Sequence, residues 1–214
     1  MLGLVIENLR PSCPHRFTFI CQSEHLKAQG LDRVIASAAP GAHLNPIESV
    51  TEGAVCTVLL AESIIDTDEP LMIANCDQYV STAIDDYLGA MAAGNWDGFI
   101  MTMTADDPKW SFIHMDGRGA IVEVVEKQVV SNEATVGIYN YRKGRDFVRA
   151  AKAMISANDR VKGEFYVAPA YNYMIREGAR LGYYNVGSER TGMYGLGIPE
   201  DLEYFNALEK LPGT

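Results

Sequence analysis

Apolar residues recur along this chain in two rhythms, helical and alternating, and the two exchange places often. Residues 2–9 carry an apolar helical face that runs into Arg10-Pro11, where Pro11 and Pro14 stop it. RFTFICQ (16–22) is a short run of β-branched and aromatic residues, the pattern of a strand. SEHLKAQG (23–30) reads as a short helix with Ser23 as its cap and Gly30 at its end. Residues 32–38 fit either a helix or a strand, and residues 43–50 a weak strand interrupted by Pro46. GAVCTVLLAESII (53–65) is apolar nearly all round, with Thr51 able to cap it, and predicts one buried helix.

EPLMIANCDQ (69–78) predicts a buried strand that ends in polar residues. Residues 81–94 hold Ile84, Tyr87, Leu88 and Met91 at helical spacing, with Gly94 closing the helix. Strands follow at 97–105, on both sides of the Asp116-Gly117 turn within 111–127, and at 134–141. Residues 144–157 place Phe147, Ala150, Ala151, Met154 and Ile155 on one helical face. Residues 165–178 start extended and become helical after Pro169, 182–187 is a strand, and 199–210 is a helix with Pro199 at its first position and acids in its first turn.

Strands and helices alternate in the first half, and strands joined by a short turn occupy the middle. The expectation is a single α/β domain over residues 1–214, a three-layer α/β/α sandwich around a mixed, mostly parallel sheet. Ligands of such sheets bind outside the carboxyl ends of the strands.

Charge narrows the partners. The formal net charge of −10 argues against a nucleic-acid backbone or an anionic membrane as the main partner. It leaves room for a small anion, which a few local cations or a bound metal can hold. No stretch approaches the roughly 20 apolar residues of a membrane span, and MLGLVIENLRP lacks the basic leader of a signal peptide. Cys13, Cys21, Cys56 and Cys76 form no C-x-x-C pair and read as buried, reduced thiols of a cytoplasmic protein.

Candidate chemistry gathers at strand ends. Asn75, Asp77 and Gln78 stand together at the carboxyl end of an apolar run; Asp77 is placed either to hold a hard cation such as Mg²⁺ on a phosphate or to cap the next turn. Gly53 and Ala54, before an apolar helix, either admit a nucleobase and ribose against the backbone or simply start the helix. Glu126-Lys127 either binds sugar hydroxyls and a phosphate or is a solvated strand end. Trp110-Ser111, after a turn, reads as packing or as the border of a ligand. The four histidines are scattered and carry no metal-ligand spacing.

In order along the chain, TEGAVCTVLLAES (51–63), PLMIANCDQ (70–78), DDPKWSFIHMDGRGAIVEVVEK (106–127), ATVGIYNY (134–141) and GLGIPEDLEYF (195–205) resemble the sugar-1-phosphate nucleotidyltransferases of the glycosyltransferase-A-like fold. The WSF, ATVGIY, GEFYVAPAYN and GLGxPEDL strings resemble a capsule or surface-polysaccharide subgroup. The resemblance implies a nucleoside triphosphate and a sugar 1-phosphate as substrates, with Mg²⁺ as cofactor. It implies Gly53, Ala54 and Asp77 for the nucleotide, with Asp77 on the metal. For the sugar phosphate it implies Glu126, Lys127, the Val136-Gly137 segment and Trp110, the last with Ser111 where the family commonly has Tyr-Gly.

The sequence departs from the family at three places. No G-x-G-x-R stretch occurs, so the triphosphate-gripping loop and the first strand of the sheet are expected to be missing and turnover to be low. Gly195 stands where many members have a second metal-binding Asp, and Cys56 where some have a polar residue. Sheet edges left by a missing strand are expected to favour a homodimer. Glu48, just before the base-facing segment, hints at cytosine or guanine through their exocyclic amines.

Overall fold

A computed structural model describes residues 1–208. In chain order it contains α1 (Leu2–Asn8), β1 (Thr18–Gln22), α2 (Ser23–Ala28), α3 (Leu31–Ala38), β2 (His43–Ile47), α4 (Ala54–Leu59), α5 (Glu62–Ile65), β3 (Leu71–Ala74), β4 (Gln78–Val80), α6 (Ile84–Gly94) and β5 (Gly98–Thr104). Then come β6 (Ser111–Met115), β7 (Ile121–Glu126), β8 (Glu133–Tyr141), α7 (Gly144–Ser156), a 3-10 turn (Ala168–Ala170), α8 (Tyr171–Arg176), β9 (Leu181–Glu189), β10 (Gly192–Gly195) and α9 (Pro199–Asn206). Residues 209 and 210 of the expected last helix lie outside the described residues.

The main sheet has eight strands, in the order β4-β10-β9-β5-β8-β6-β7 with β3 also on β8. It is mixed as expected: β3, β5, β6, β9 and β10 run one way and β4, β7 and β8 the other. Period-two alternation sends its side chains to two cores. Ile100, Ile113, Val124, Tyr139 and Tyr141 face α7 and α8, through Phe147, Ala151, Met154, Tyr171 and Met174. Phe99, Met101, Met103, Val136 and Ile138 face α1, α6 and α9, through Val5, Leu9, Ile84, Tyr87 and Phe205. This is the three-layer α/β/α arrangement. Asn8 seals one margin: its amide donates to the Val80 carbonyl at 2.8 Å and accepts from the Val80 N–H at 2.9 Å, pairing the outer edge of β4 as a strand would.

The sheet also folds over itself. Asn75, Cys76 and Asp77 alone join β3 to β4, a reach of about 14 Å, although five inter-strand spacings of the flat sheet would be about 24 Å. The β10–β4 end must therefore curl back over the carboxyl end of β3.

Several expectations need correction. β3 is not buried: all four residues are half-exposed, because β8 is its one strand partner among the described residues. β1 and β2 form a separate parallel pair, joined to the main body by packing of Ile20 rather than by ladder bonds. Residues 53–65 are two short helices. The turn between them tightens to i→i−3 bonds, Leu60 to Thr57 and Ala61 to Val58, and Leu60 faces water. Thr51 does not cap α4; its hydroxyl donates to the Gly53 carbonyl at 2.9 Å. Ser23 is the first helical residue, not a cap, and its hydroxyl donates to Glu48 at 2.7 Å. The left-handed residue that ends α6 is Asn95 rather than Gly94. The four cysteines are free, but Cys13 and Cys76 are exposed and Cys21 and Cys56 half-buried. No helix among the described residues is long and apolar enough to cross a membrane.

Candidate functional site

The sheet forks at β8. β5 pairs along one side, while the other side is shared: residues 138–141 pair with β3, and Ala134 pairs with Phe112 of β6. Gly137 stands between these two partners with φ 80°. Its carbonyl accepts the Asn75 N–H at 3.0 Å. A Cβ here would overlap the Asn75 amide and lie 2.8 Å from Oε1 of Gln78. Left-handed backbone and close approach both require glycine at this point.

Asp77 sits on the link beyond β3. Its carbonyl accepts the Leu196 N–H at 2.7 Å, and its half-exposed carboxylate lies so close to Gly197 that a Cβ there would be 2.5 Å from Oδ2. No cluster of three or more His, Cys, Asp or Glu side chains suited to a metal occurs among the described residues. A lone carboxylate at a strand end fits a different partner: a hard cation that keeps its waters and arrives on phosphate oxygens, as Mg²⁺ does.

The β6–β7 register sets Ser111 opposite Glu126, and the Ser111 hydroxyl donates to the Glu126 carboxylate. Burial pushes the Glu126 carboxyl above its ordinary value, and the Ser111 bond and Lys127 pull it part of the way back. Beneath lies Tyr139, bonded to Thr135 at 2.9 Å, with its phenol pushed up by burial to about 12. Lys127 follows β7 in the left-handed region, φ 55°, and its N–H donates to the Trp110 carbonyl at 3.0 Å. Its ammonium donates to the Tyr166 phenol oxygen at 2.6 Å and lies 4.4 Å from that ring's centre. The Tyr166 bond is the main cause that holds Lys127 above the usual lysine value, so the ammonium stays charged.

Gly53 forms the third part with φ 128°. A Cβ on it would lie 2.6 Å from both N and O of Phe165. Phe165 clamps this segment through two backbone bonds, its N–H to the Glu52 carbonyl at 3.0 Å and its carbonyl from the Val55 N–H at 3.1 Å. Arg160 pairs with Glu52 and lies 4.1 Å over the Phe165 ring. Ala54 is exposed beside the clamp.

The predicted residues are thus linked through neighbours. Asp77 meets Gly137 through Asn75 and Gln78, Gly137 leads along β8 to Tyr139 and Glu126, and Lys127 meets Gly53 through the adjacent pair Tyr166 and Phe165. Trp110 joins by its backbone carbonyl alone; its ring packs into the opposite core and its indole N–H is buried without an acceptor among the described residues. Glu48 is engaged by Ser23. Tyr166 and the Phe165 clamp escaped the sequence reading, because Tyr166 meets Lys127 across 39 positions and no local pattern marks such a contact.

No protein-family model matches the chain, and no curated protein sequence does. Solved structures do. A nucleoside-diphosphate-sugar pyrophosphorylase from Vibrio cholerae RC9 superposes with a TM-score of 0.75 at 19% identity, over 89% of this chain and 80% of that one. A UDP-glucose pyrophosphorylase complexed with UDP-glucose gives 0.74 at 12% identity, over 97% and 87%. The inositol-1-phosphate CTP transferase from T. maritima gives 0.61 at 12%, over 87% and 71%. The chain has the α/β fold of these nucleotidyltransferases.

Proposed function

We propose that the chain transfers a nucleoside monophosphate from a nucleoside triphosphate to a sugar 1-phosphate, releasing pyrophosphate, in surface-polysaccharide synthesis. The observation that supports this reading is the fork at Gly137, where bare backbone lies against Asn75 and Gln78 on either side of Asp77 and leads along β8 to Tyr139 beside Glu126. The likeness to nucleotide-sugar pyrophosphorylases supports the reaction class.

One oxygen of the sugar 1-phosphate attacks the α-phosphorus in line. The new O–P bond forms as the bond to the β-phosphate breaks, and its electron pair leaves on pyrophosphate. Nucleophile and leaving group are both phosphate oxygens, so no proton has to move, and the protein's task is positioning and charge neutralisation. In this reading Lys127 binds the sugar's phosphate, and Glu126, with one oxygen fixed by Ser111, accepts its hydroxyls. Gly137 lets the sugar lie against the strand, and Gly53 and Ala54 do the same for the base and ribose. Asp77 would hold Mg²⁺, which when bound supplies positive charge to the reacting phosphates.

The alternative is a nucleotide or nucleotide-sugar binding module of the same fold without turnover. Incubation of the chain with each nucleoside triphosphate, a panel of sugar 1-phosphates and Mg²⁺, followed by ³¹P NMR, separates the two. The transfer reading expects paired diphosphate-diester signals with matching pyrophosphate. Binding of a nucleotide with no such signals supports the module instead.

A further inference from the structure

Lys127 is held in an unusual way. Its backbone is left-handed, an uncommon conformation for a lysine, although Lys162 shares it. Its ammonium forms no ion pair among the described residues, although Lys109, Lys143 and Lys152 each pair with a carboxylate. Its partner is the phenol of Tyr166, at 2.6 Å.

A carboxylate at that place would cancel the charge and compete with an incoming anion. The carboxylates of Glu126 and Glu164 act on the ammonium only electrostatically, and its direct partner, a phenol, fixes it without an ion pair. One of the three ammonium hydrogens goes to Tyr166, and the other two remain for a ligand. Tyr166 is itself anchored, because the preceding residue, Phe165, is clamped between Glu52 and Val55. The Tyr166 phenol is raised first by its bond to Glu164, so it stays neutral beside the ammonium.

We infer that Tyr166 is a positioning residue that makes Lys127 a seat for a phosphate monoester, its two free N–H groups directed at the phosphate oxygens. The inference deepens the sugar-phosphate reading of Lys127 and rests on it.

The test titrates the full chain with glucose 1-phosphate and with inorganic phosphate, in four forms: wild type, Tyr166→Phe, Lys127→Met and the double variant. Tyr166→Phe keeps the ring and removes the hydroxyl. It is expected to weaken both ligands up to about tenfold, the cost of ordering one long side chain on binding. Lys127→Met weakens them further, and adding Tyr166→Phe to it changes nothing more, since the tyrosine acts only through the lysine. Wild-type affinity in Tyr166→Phe overturns the inference and leaves the sugar-phosphate reading standing, as does a double variant weaker than Lys127→Met by the full Tyr166→Phe factor. A Tyr166-dependent site for inorganic phosphate that binds no sugar phosphate keeps the inference and removes the sugar reading. A wild-type chain that binds neither phosphate overturns both.

Discussion

Around Lys127 the site is made of side chains that hold one another; around Gly53 it is made of backbone that keeps side chains out. On the first side Ser111 fixes Glu126, Tyr166 fixes Lys127, and Tyr139 closes the floor. On the second, the glycine-permitted approach of Gly53 and a pair of backbone bonds to Phe165 do the shaping, with Arg160 paired to Glu52 beside them, while Asp77 stands half-exposed beyond β3. In the proposed reading the difference suits what each side would bind. A sugar phosphate offers hydroxyls and a compact charge, which directed side chains read well. A base and ribose offer flat surfaces, which need room against a backbone.

The comparison can be broken by substitutions that act on one side only. The largest effect is expected from Gly53→Ala, which forces a Cβ into the Phe165 backbone at a left-handed φ. It is expected to cost about 2–4 kcal/mol in urea unfolding and to abolish nucleotide binding with it. Lys127→Met comes next: by calorimetry, sugar 1-phosphate affinity falls about 100-fold with nucleoside triphosphate affinity unchanged. Asp77→Asn reverses that pattern, weakening nucleotide binding about tenfold in Mg²⁺ and removing its Mg²⁺ dependence, while sugar phosphate affinity stays.

The smallest effect concerns pH. The carboxyl of Glu126 titrates higher in the folded chain than in the unfolded one, so the folded state binds the extra proton. Stability therefore falls as pH rises from the ordinary glutamate range through the raised folded value. Glu126→Gln is expected to raise the melting temperature at pH 7 by about 1–3 °C, to leave it unchanged below pH 4 and to weaken sugar binding. An unchanged melting temperature at pH 7 contradicts this account of the carboxyl.

Elements with a strong, uninterrupted rhythm were legible in the sequence. The α7 face of Phe147, Ala150, Ala151 and Met154 is buried as its spacing requires, and β5, β8 and the β6–β7 turn lie where alternation puts them. Elements whose state depends on distant neighbours were not. The composition of 71–74 is that of a buried strand, yet its exposure is set by how many strands flank it. The 53–65 run has helical composition throughout, but the break after Leu59 is made by local i→i−3 bonds that hydrophobicity does not encode. β10 went unseen because Gly192 and Gly195 weaken its pattern.

The candidate site divides in the same way. Asp77, Gly137 and the Glu126-Lys127 pair stand out as polar or glycine positions ending apolar runs. The role proposed for Tyr166 rests on a contact between distant segments, which no local pattern in the sequence marks.

The most direct test of the central claim, that one site holds the nucleotide and the sugar phosphate together, is a competition titration. A nucleoside-diphosphate sugar built from the best-bound base and sugar is added to the chain carrying nucleotide, and separately to the chain carrying sugar 1-phosphate. The account predicts that one equivalent displaces either ligand, and that both Lys127→Met and Asp77→Asn weaken the displacement. A nucleotide sugar that displaces the nucleotide yet leaves the sugar 1-phosphate in place would contradict it.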